Sequence, residues 1–178
     1  MMERTLVVLK PDAVARRLVG KIIDVFEEAQ LSIVAARMLT PSASLVDRHY
    51  PKDKAYIANI GHKAATSYAA DGKDVKKKYG TSDEFEIGKK IRVGLVKYIS
   101  SGPVLALCLE GGGAIKAVRK LIGFTLPFDA APGTIRGRFS IDSSEAADSE
   151  NRPLYNLVHA SGNPEEAAAE LRLWFGKI

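Results

Sequence analysis

The stretch Thr5-Leu6-Val7-Val8-Leu9-Lys10-Pro11-Asp12 decides how the chain begins to fold. Its first five residues are apolar or β-branched, which is typical of a strand that is buried on both faces. Pro11 ends this strand because proline has no amide hydrogen to donate to a sheet. An amphipathic helix is expected next, since apolar residues recur at helical spacing at Val19, Ile22, Ile23 and Phe26.

The sequence that follows this stretch predicts further strands and helices in alternation. We expect strands at residues 32–38, 104–109 and 155–158. Capping residues indicate where three helices start: Ser42, the capping box Thr81-Ser82-Asp83-Glu84, and Asn163-Pro164-Glu165-Glu166. Another helix is indicated by the spacing of its apolar residues, Ile115, Val118, Leu121 and Ile122. This order matches the split β-α-β layout of ferredoxin-like folds, so the sequence predicts an α/β (α+β) sandwich.

The length of 178 residues suits one domain that spans residues 1–178. Residues 51–88 differ in character, with several glycines, a run of three lysines and patterns for short helices at residues 56–60 and 64–68. Residues 142–153 are acidic and small. We interpret both segments as insertions on the domain surface, since the first is too short to bury a core of its own. Residues 123–138 are expected to form a long ordered loop, and such loops are usually functional.

The charge and composition fit a globular protein that meets polyanions. The formal net charge is +5, and residues 51–92 hold ten basic and six acidic residues. A modest basic surface suits nucleotides but is too weak to indicate nucleic acid binding. No apolar run approaches the roughly 20 residues that span a bilayer, and no signal peptide is visible. We therefore expect a cytoplasmic protein whose single cysteine, Cys108, is a buried structural thiol.

His159 is the first candidate for chemistry, because it follows the last predicted strand and precedes a capped helix. Neutral imidazole is a good nucleophile near pH 7. Glu170 lies in the second turn of that helix and could hydrogen-bond the second ring nitrogen. Ser161 could cap or hydrogen-bond nearby. Taken alone, His159 is more simply explained as a surface histidine in a loop.

Three cations strengthen the case for His159. Lys10 follows the first strand, Arg119 lies on the helix before the long loop, and Arg136 lies within that loop. Phosphoryl transfer requires positive groups around the phosphate oxygens and little else from the protein. Each cation alone is more often a solvated surface residue, but the proline and glycine before Arg136 constrain its backbone. No P-loop, dinucleotide fingerprint or zinc cluster competes with this interpretation.

The pattern resembles the nucleoside diphosphate kinase family. The matching segments follow one another in family order over nearly the whole chain, in a variant with a long insertion after Tyr50: residues 4–14 (RTLVVLKPDAV), 18–26 (LVGKIIDVF), 95–103 (LVKYISSGP), 118–127 (VRKLIGFTLP), 132–139 (PGTIRGRF), 156–161 (NLVHAS) and 170–175. The PGTIRG and N-x-x-H-x-S signatures together are highly specific.

The resemblance implies an antiparallel sheet with helices packed on it. It also implies a ping-pong transfer of the γ-phosphoryl group from a nucleoside triphosphate, typically ATP, to a nucleoside diphosphate through a phosphohistidine. His159 would accept the phosphoryl group, Glu170 would orient the His159 ring, and Lys10 would be a further catalytic group. The implied nucleotide contacts are Lys10, Tyr50, Arg119, Thr125 and Arg136 with the phosphates, Asn156 with the sugar, and Leu95 and Ile91 with the base.

The resemblance further implies Mg²⁺, held mainly by the nucleotide phosphates with no metal ligand from the protein, and a homo-oligomer. Neither a membrane nor nucleic acid is an expected partner. Ile91 stands where the family has an aromatic residue that stacks on the base. Tyr56 or Tyr68 could take the role of that aromatic residue. Gly162 replaces a common acidic residue, Ala13 a common glycine and Arg138 a common aspartate.

Two alternatives stay open at this point. A nucleotide-binding regulatory protein on the same scaffold would lack turnover, because a fold alone does not prove activity. A nucleic-acid-binding module would use the basic insertion and would bind with a steep salt dependence.

Overall fold

The computed structural model describes residues 2–70 and 72–178. The chain divides into two compact units, one made of Met1–Pro41 with Ser101–Ile178 and the other of Ser42–Ser100. The sequence-based expectation of one domain with two insertions stays a prediction. Among the described residues, no helix combines the length and the apolarity that crossing a bilayer requires.

The first unit contains an antiparallel sheet of four strands, β1 (Met2–Leu9), β2 (Ser32–Leu39), β3 (Val104–Gly112) and β4 (Val158–Ala160). Their order in the sheet is β2-β3-β1-β4. The two central strands, β1 and β3, pair along their full length and are almost continuously apolar, because side chains on both faces are buried. The predicted antiparallel ferredoxin-like sandwich is confirmed.

The helices connect these strands and supply the rest of the fold. In chain order they are α1 (Pro11–Ala15), α2 (Val19–Glu28), α3 (Ala43–His49), α4 (Lys54–Ala70), α5 (Val75–Tyr79), α6 (Glu84–Ile99), α7 (Ala114–Ile122), α8 (Ile135–Phe139), α9 (Ser144–Ser149) and α10 (Pro164–Phe175). In the first unit, α2 and α7 place apolar faces on the sheet, and Phe26, Ile22 and Val118 lie in its core. Cys108 on β3 is buried and unpaired, as expected.

The last strand lies later in the chain than the sequence indicated. Residues 155–158 were expected to form it, but β4 is Val158–Ala160, so His159 is its central residue and does not follow it. The reason is the backbone of Leu157, which has a φ of +66° and cannot continue a strand. Val158 and His159 then pair with Leu9 and Val8 of β1.

Two predicted loops contain helices. The segment 123–138 includes a 3₁₀ turn at Pro127–Asp129 and the start of α8, which Thr134 caps by accepting from the Gly137 amide. The segment 142–153 includes α9, so it is not only a surface excursion.

The α9 segment is closed at its base by an ion pair. Both oxygens of Asp142 accept from the guanidinium of Arg152 at 2.8 Å, and one also accepts from the Tyr155 amide at 2.7 Å. Burial favours the neutral carboxyl, but the hydrogen bonds from Arg152 and the Tyr155 amide lower the pKa of Asp142. We call this arrangement the Asp142–Arg152 clasp.

The second unit is built on α4 and α6, which pack at two glycines. A Cβ atom added to Gly61 would lie 1.7 Å from the carbonyl oxygen of Glu84, and one added to Gly88 would lie 1.9 Å from that of Ile57. The two backbones therefore touch at this crossing. The sequence predicted short helices at residues 56–60 and 64–68, which is wrong, because α4 is one helix of 17 residues.

The start of α6 and the end of α3 are fixed by polar contacts. The predicted capping box at Thr81 is two residues early, since Asp83 is the cap and accepts from the Glu86 amide. Thr81 instead accepts from the Asp83 amide. Arg92 on α6 donates to the carbonyl oxygens of Asp47 and Tyr50, which would otherwise be unsatisfied at the end of α3.

Candidate active site

His159 and Glu170 form a hydrogen-bonded pair in the first unit. His159 projects from β4, and its Nε2 lies 3.0 Å from Oε1 of Glu170 on α10. Helix α10 begins as the sequence predicted, because Asn163 accepts from the Glu166 amide and Pro164 occupies the first turn. The helix therefore carries Glu170 to the ring nitrogen that the sequence expected it to meet.

Ser161 fixes the other oxygen of Glu170. Its hydroxyl donates to Oε2 at 2.6 Å and accepts from the Leu6 amide of β1 at 3.3 Å. Both oxygens of this buried carboxylate thus have partners, which holds the group in one orientation. The sequence indicated Ser161 only as a residue able to cap or hydrogen-bond.

Lys10 lies at the end of β1 and is only 5% exposed. Its Nζ donates to Oδ1 of Asn156 at 2.6 Å, and the amide nitrogen of Asn156 donates to the carbonyl oxygen of Thr125 at 2.9 Å. Burial and the nearby charge of Arg136 lower the pKa of Lys10 to about 7, although Asp12 acts in the opposite direction. A lysine in this state gains charge readily when an anion arrives.

Arg136 is buried and is bound to four backbone carbonyls. Its guanidinium donates to Asn156 and Val158 on one side and to Gly123 and Phe124 on the other. Burial and the charge of Arg119 lower the pKa of Arg136 to about 10. Arg136 thus joins the long loop to the residues before His159, which the sequence did not indicate.

Arg119 and Thr125 are the exposed members of the predicted set in the first unit. Arg119 lies in the last turn of α7, where a cation is favourable, and its effect on Arg136 indicates that the two charges are near each other. Thr125 is exposed, and its carbonyl oxygen is held by Asn156. The first unit therefore links Lys10, Asn156 and Thr125 in one network.

Tyr50, Ile91 and Leu95 belong to the second unit. Tyr50 follows α3, is buried, and packs edge-on against the ring of His49 at 4.8 Å. Ile91 and Leu95 lie one turn apart on α6 and are half-buried. Of the insertion tyrosines, Tyr56 is half-buried and Tyr68 is buried.

Asp12 is a residue near the site that sequence reasoning did not assign. It is buried, and its carboxylate accepts from the Leu157 amide at 3.1 Å. One signal was present in the sequence, since an acidic residue two positions after Lys10 follows a strand that is expected to be buried. Leu157 gave no signal, because leucine does not favour a positive φ.

The chain is similar to known proteins along almost its whole length. The nucleoside diphosphate kinase family model matches residues 3–59 and 64–178. A nucleoside diphosphate kinase of Pyrobaculum aerophilum is 49% identical over 173 residues, which cover 97% of this chain and 94% of the relative. The crystal structure of an NDP kinase from Pyrobaculum aerophilum covers 98% of this chain and 96% of its own, with 47% identity and a TM-score of 0.92.

A more distant structure carries ligands. It is a transition-state mimic of the nucleoside-diphosphate kinase from Borrelia burgdorferi with bound vanadate and ADP. It is 33% identical, covers 98% of this chain and 87% of its own, and has a TM-score of 0.75. The fold and these relatives define the class of the protein as a phosphotransferase. Within that class, the chain belongs to the nucleoside diphosphate kinase family, and its activity is that of the family.

Proposed function

We propose that this kinase transfers the γ-phosphoryl group by a ping-pong reaction in which His159 is the nucleophile. The observation that carries the proposal is the contact between Nε2 of His159 and Glu170. When Nε2 carries the proton and donates it to the carboxylate, Nδ1 holds a lone pair in the ring plane. Nδ1 is therefore the atom that we assign to attack.

Each half-reaction forms one bond and breaks one. Nδ1 attacks the γ-phosphorus, the N–P bond forms, and the bond from phosphorus to the β,γ-bridging oxygen breaks with its electrons on the departing diphosphate. The ring gains positive charge, which Glu170 stabilises through the Nε2 proton. A second nucleoside diphosphate then attacks the phosphohistidine, and the steps reverse.

Lys10, Arg119 and Arg136 are the cations that we assign to the phosphates, with Thr125 beside them and Asn156 at the sugar. Phosphoryl transfer depends mainly on positioning and on positive charge around the oxygens. Arg136 has already placed most of its donors on carbonyls, so we expect it to act through its charge and through the loop that it holds. The bound ADP of the Borrelia relative supports a nucleotide site in this chain.

Tyr50, Leu95 and Ile91 keep the assignments that the resemblance gives them, as contacts of the phosphates and the base. Ile91 and Leu95 share one face of α6, which supports a common role. Tyr68 packs against Tyr79 at 6.0 Å between ring centroids, so Tyr56 is the better candidate of the two to replace the family aromatic. Tyr56→Ala should weaken ADP binding if Tyr56 contacts the base.

Mg²⁺ is proposed as a companion of the nucleotide. The carboxylates of Asp12 and Glu170 both accept hydrogen bonds from protein groups, and Gly162 offers no side chain. These residues fit a metal that is held by phosphate oxygens and not by the protein. When bound, Mg²⁺ would neutralise charge on the phosphates.

We also propose a homo-oligomer that works in the cytoplasm. The edge strand β2 presents Val34 and Met38, which are 40% and 57% exposed, and edge strands with exposed apolar residues favour association. The buried unpaired thiol of Cys108 is compatible with a reducing compartment.

Labelling with γ-labelled ATP and Mg²⁺ tests the proposed reaction. We expect acid-labile, base-stable label on the wild type, none on His159→Ala, and transfer of the label when a different diphosphate is added. His62→Ala is the matched control, because His62 also contacts a glutamate but lies on the surface of the second unit. This variant should label like the wild type.

Two outcomes of the labelling would contradict the proposed mechanism. Label on His159→Ala would place the nucleophile elsewhere. Absence of label on a folded wild type that binds ADP would favour the regulatory alternative over turnover.

A further inference from the structure

Leu157 adopts a backbone conformation that leucine rarely takes. Its φ is +66° although it is fully buried, and the Val158 amide donates to the Asn156 carbonyl oxygen at 2.7 Å. These features define a three-residue turn centred on Leu157. Turns of this kind are sparsely populated and persist only where the surroundings hold them in place.

The surroundings of this turn are three groups from distant parts of the chain. The Lys10 amide donates to the Leu157 carbonyl oxygen at 2.8 Å, and the Leu157 amide donates to Oδ2 of Asp12 at 3.1 Å. Arg136 donates to the carbonyl oxygens on both sides of Leu157. Asp12 contacts Leu157 itself through its side chain, so a substitution of Asp12 removes that hydrogen bond without altering the backbone and without disturbing the loop that Arg136 holds.

The turn joins two groups that the proposed reaction uses. Asn156 is its first residue and bonds Lys10 and Thr125, while His159 directly follows its last residue, Val158. We infer that Asp12 is a positioning residue, whose hydrogen bond holds the Leu157 turn and so sets Asn156 and Lys10 relative to His159. This inference rests on the proposed role of His159. A displacement of about 1 Å at such a group can cost on the order of a hundredfold in rate.

The charge of Asp12 also affects Lys10 and Arg136. Burial lowers the pKa values of Lys10 and Arg136, and Asp12 opposes that shift at both residues. The charged groups that shift the pKa of Lys10 are therefore Arg136, which lowers it, and Asp12, which raises it. Losing the Asp12 carboxylate should change both the geometry of the turn and the protonation of Lys10, which a set of variants can separate.

The test compares Asp12→Ala, Asp12→Asn and the double variant Asp12→Ala/Leu157→Gly. The rate of phosphohistidine formation from ATP and Mg²⁺ is measured by rapid quench from pH 6 to 9, together with ADP affinity and urea unfolding. Asp12→Ala should slow phosphorylation by roughly tenfold to a hundredfold, with a smaller loss of ADP affinity. Asp12→Asn keeps a hydrogen-bond acceptor. Its fold decrease in phosphorylation rate should therefore be less than about a third of that in Asp12→Ala.

The double variant distinguishes positioning from general damage. Glycine takes a positive φ without strain, so Leu157→Gly should recover at least about threefold of the rate lost in Asp12→Ala. Asp24→Ala, on the exposed face of α2, is the matched control and should phosphorylate at the wild-type rate.

Three results would overturn the inference: a wild-type rate in Asp12→Ala, equal losses in Asp12→Asn and Asp12→Ala, or no recovery in the double variant. If Asp12→Ala does not fold, the double variant is compared directly with the wild type, and a folded double variant that phosphorylates more than about thirtyfold more slowly would overturn the inference. A failure of the proposed function appears differently, since the wild type itself would then form no phosphohistidine.

Discussion

At the scale of single residues, the site depends on charged groups that are buried and held by neutral partners. Lys10 contacts the amide oxygen of Asn156, and Arg136 contacts carbonyl oxygens. The carboxylate of Asp12 raises the pKa of both cations, but burial and neighbouring positive charge lower it further. Bound phosphate oxygens would favour the charged forms of both groups.

Nucleotide binding should consequently take up a proton at Lys10. The pKa of Lys10 is about 7 in the free protein, and bound phosphates favour the charged form. ADP affinity should therefore fall as pH rises above about 7, by at most about tenfold per pH unit. Calorimetry of ADP binding at pH 8 in buffers of different ionisation enthalpy measures the uptake directly.

The matched variant is Lys10→Arg, whose guanidinium stays charged over this range and should flatten the dependence. An unchanged slope in that variant would assign the proton to another group.

The pH dependence of stability without ligand has the sign opposite to that of the usual lysine case. The unfolded chain holds a proton that the folded chain lacks between pH 7 and about 10.5, so stability should rise with pH across that window.

At the scale of elements, the crossing of α4 and α6 is set by two glycines. Gly61→Ala or Gly88→Ala would press a methyl group into the facing backbone, which cannot move away as a flexible side chain can. We expect each substitution to lower the free energy of unfolding by about 2 kcal/mol or more, as overpacking does. Chemical denaturation measures this loss.

Gly94 provides the control for the crossing. It lies on the same helix α6, but an added Cβ would meet nothing within 4 Å. Gly94→Ala should therefore stabilise the protein by about 0.5–1 kcal/mol, because alanine is the better helix former. Equal losses at Gly88 and Gly94 would contradict a role for close backbone contact.

The Asp142–Arg152 clasp should control local opening of the α9 segment. Arg152→Ala removes both hydrogen bonds to the Asp142 carboxylate, as well as the packing of the guanidinium on the Tyr155 ring at 4.4 Å. We expect faster cleavage within residues 143–151 in limited proteolysis and a loss of about 1–2 kcal/mol in unfolding. Lys21→Ala, on the exposed face of α2, should leave both unchanged; matching cleavage in the two variants would argue against the clasp.

At the scale of the whole molecule, the exposed edge of the sheet is where association should be sought. Met38→Glu places a charge on β2 and should reduce the mass measured by light scattering if copies pair along this edge. Val93→Glu is the control, because Val93 is also exposed and apolar but lies on α6 of the second unit. Loss of mass in the Val93 variant alone would move the proposed interface to that helix.

The sequence predicted the sandwich because strands such as residues 5–9 and caps such as Asn163 carry local signals. The contact between His159 and Glu170 could also be predicted, because helix geometry places residue 170 above the end of the strand. The sequence could not predict the bounds of β4, because hydrogen bonds from residues distant in the sequence help to hold Leu157 at a positive φ. It divided α4 in two, because Gly61 is a helix breaker by propensity, and its favourable contact with α6 is visible only in the fold.

The Asp142–Arg152 clasp also has a practical consequence for building new proteins on this scaffold. It brings the two ends of a surface segment together with fixed geometry, much as a short hairpin would. Foreign sequence placed between Ser149 and Glu150, beyond the clasp, would hang from a closed base and leave the backbone at Tyr155 in place. We therefore expect a folded peptide or reporter module grafted there to be displayed without loss of phosphotransfer.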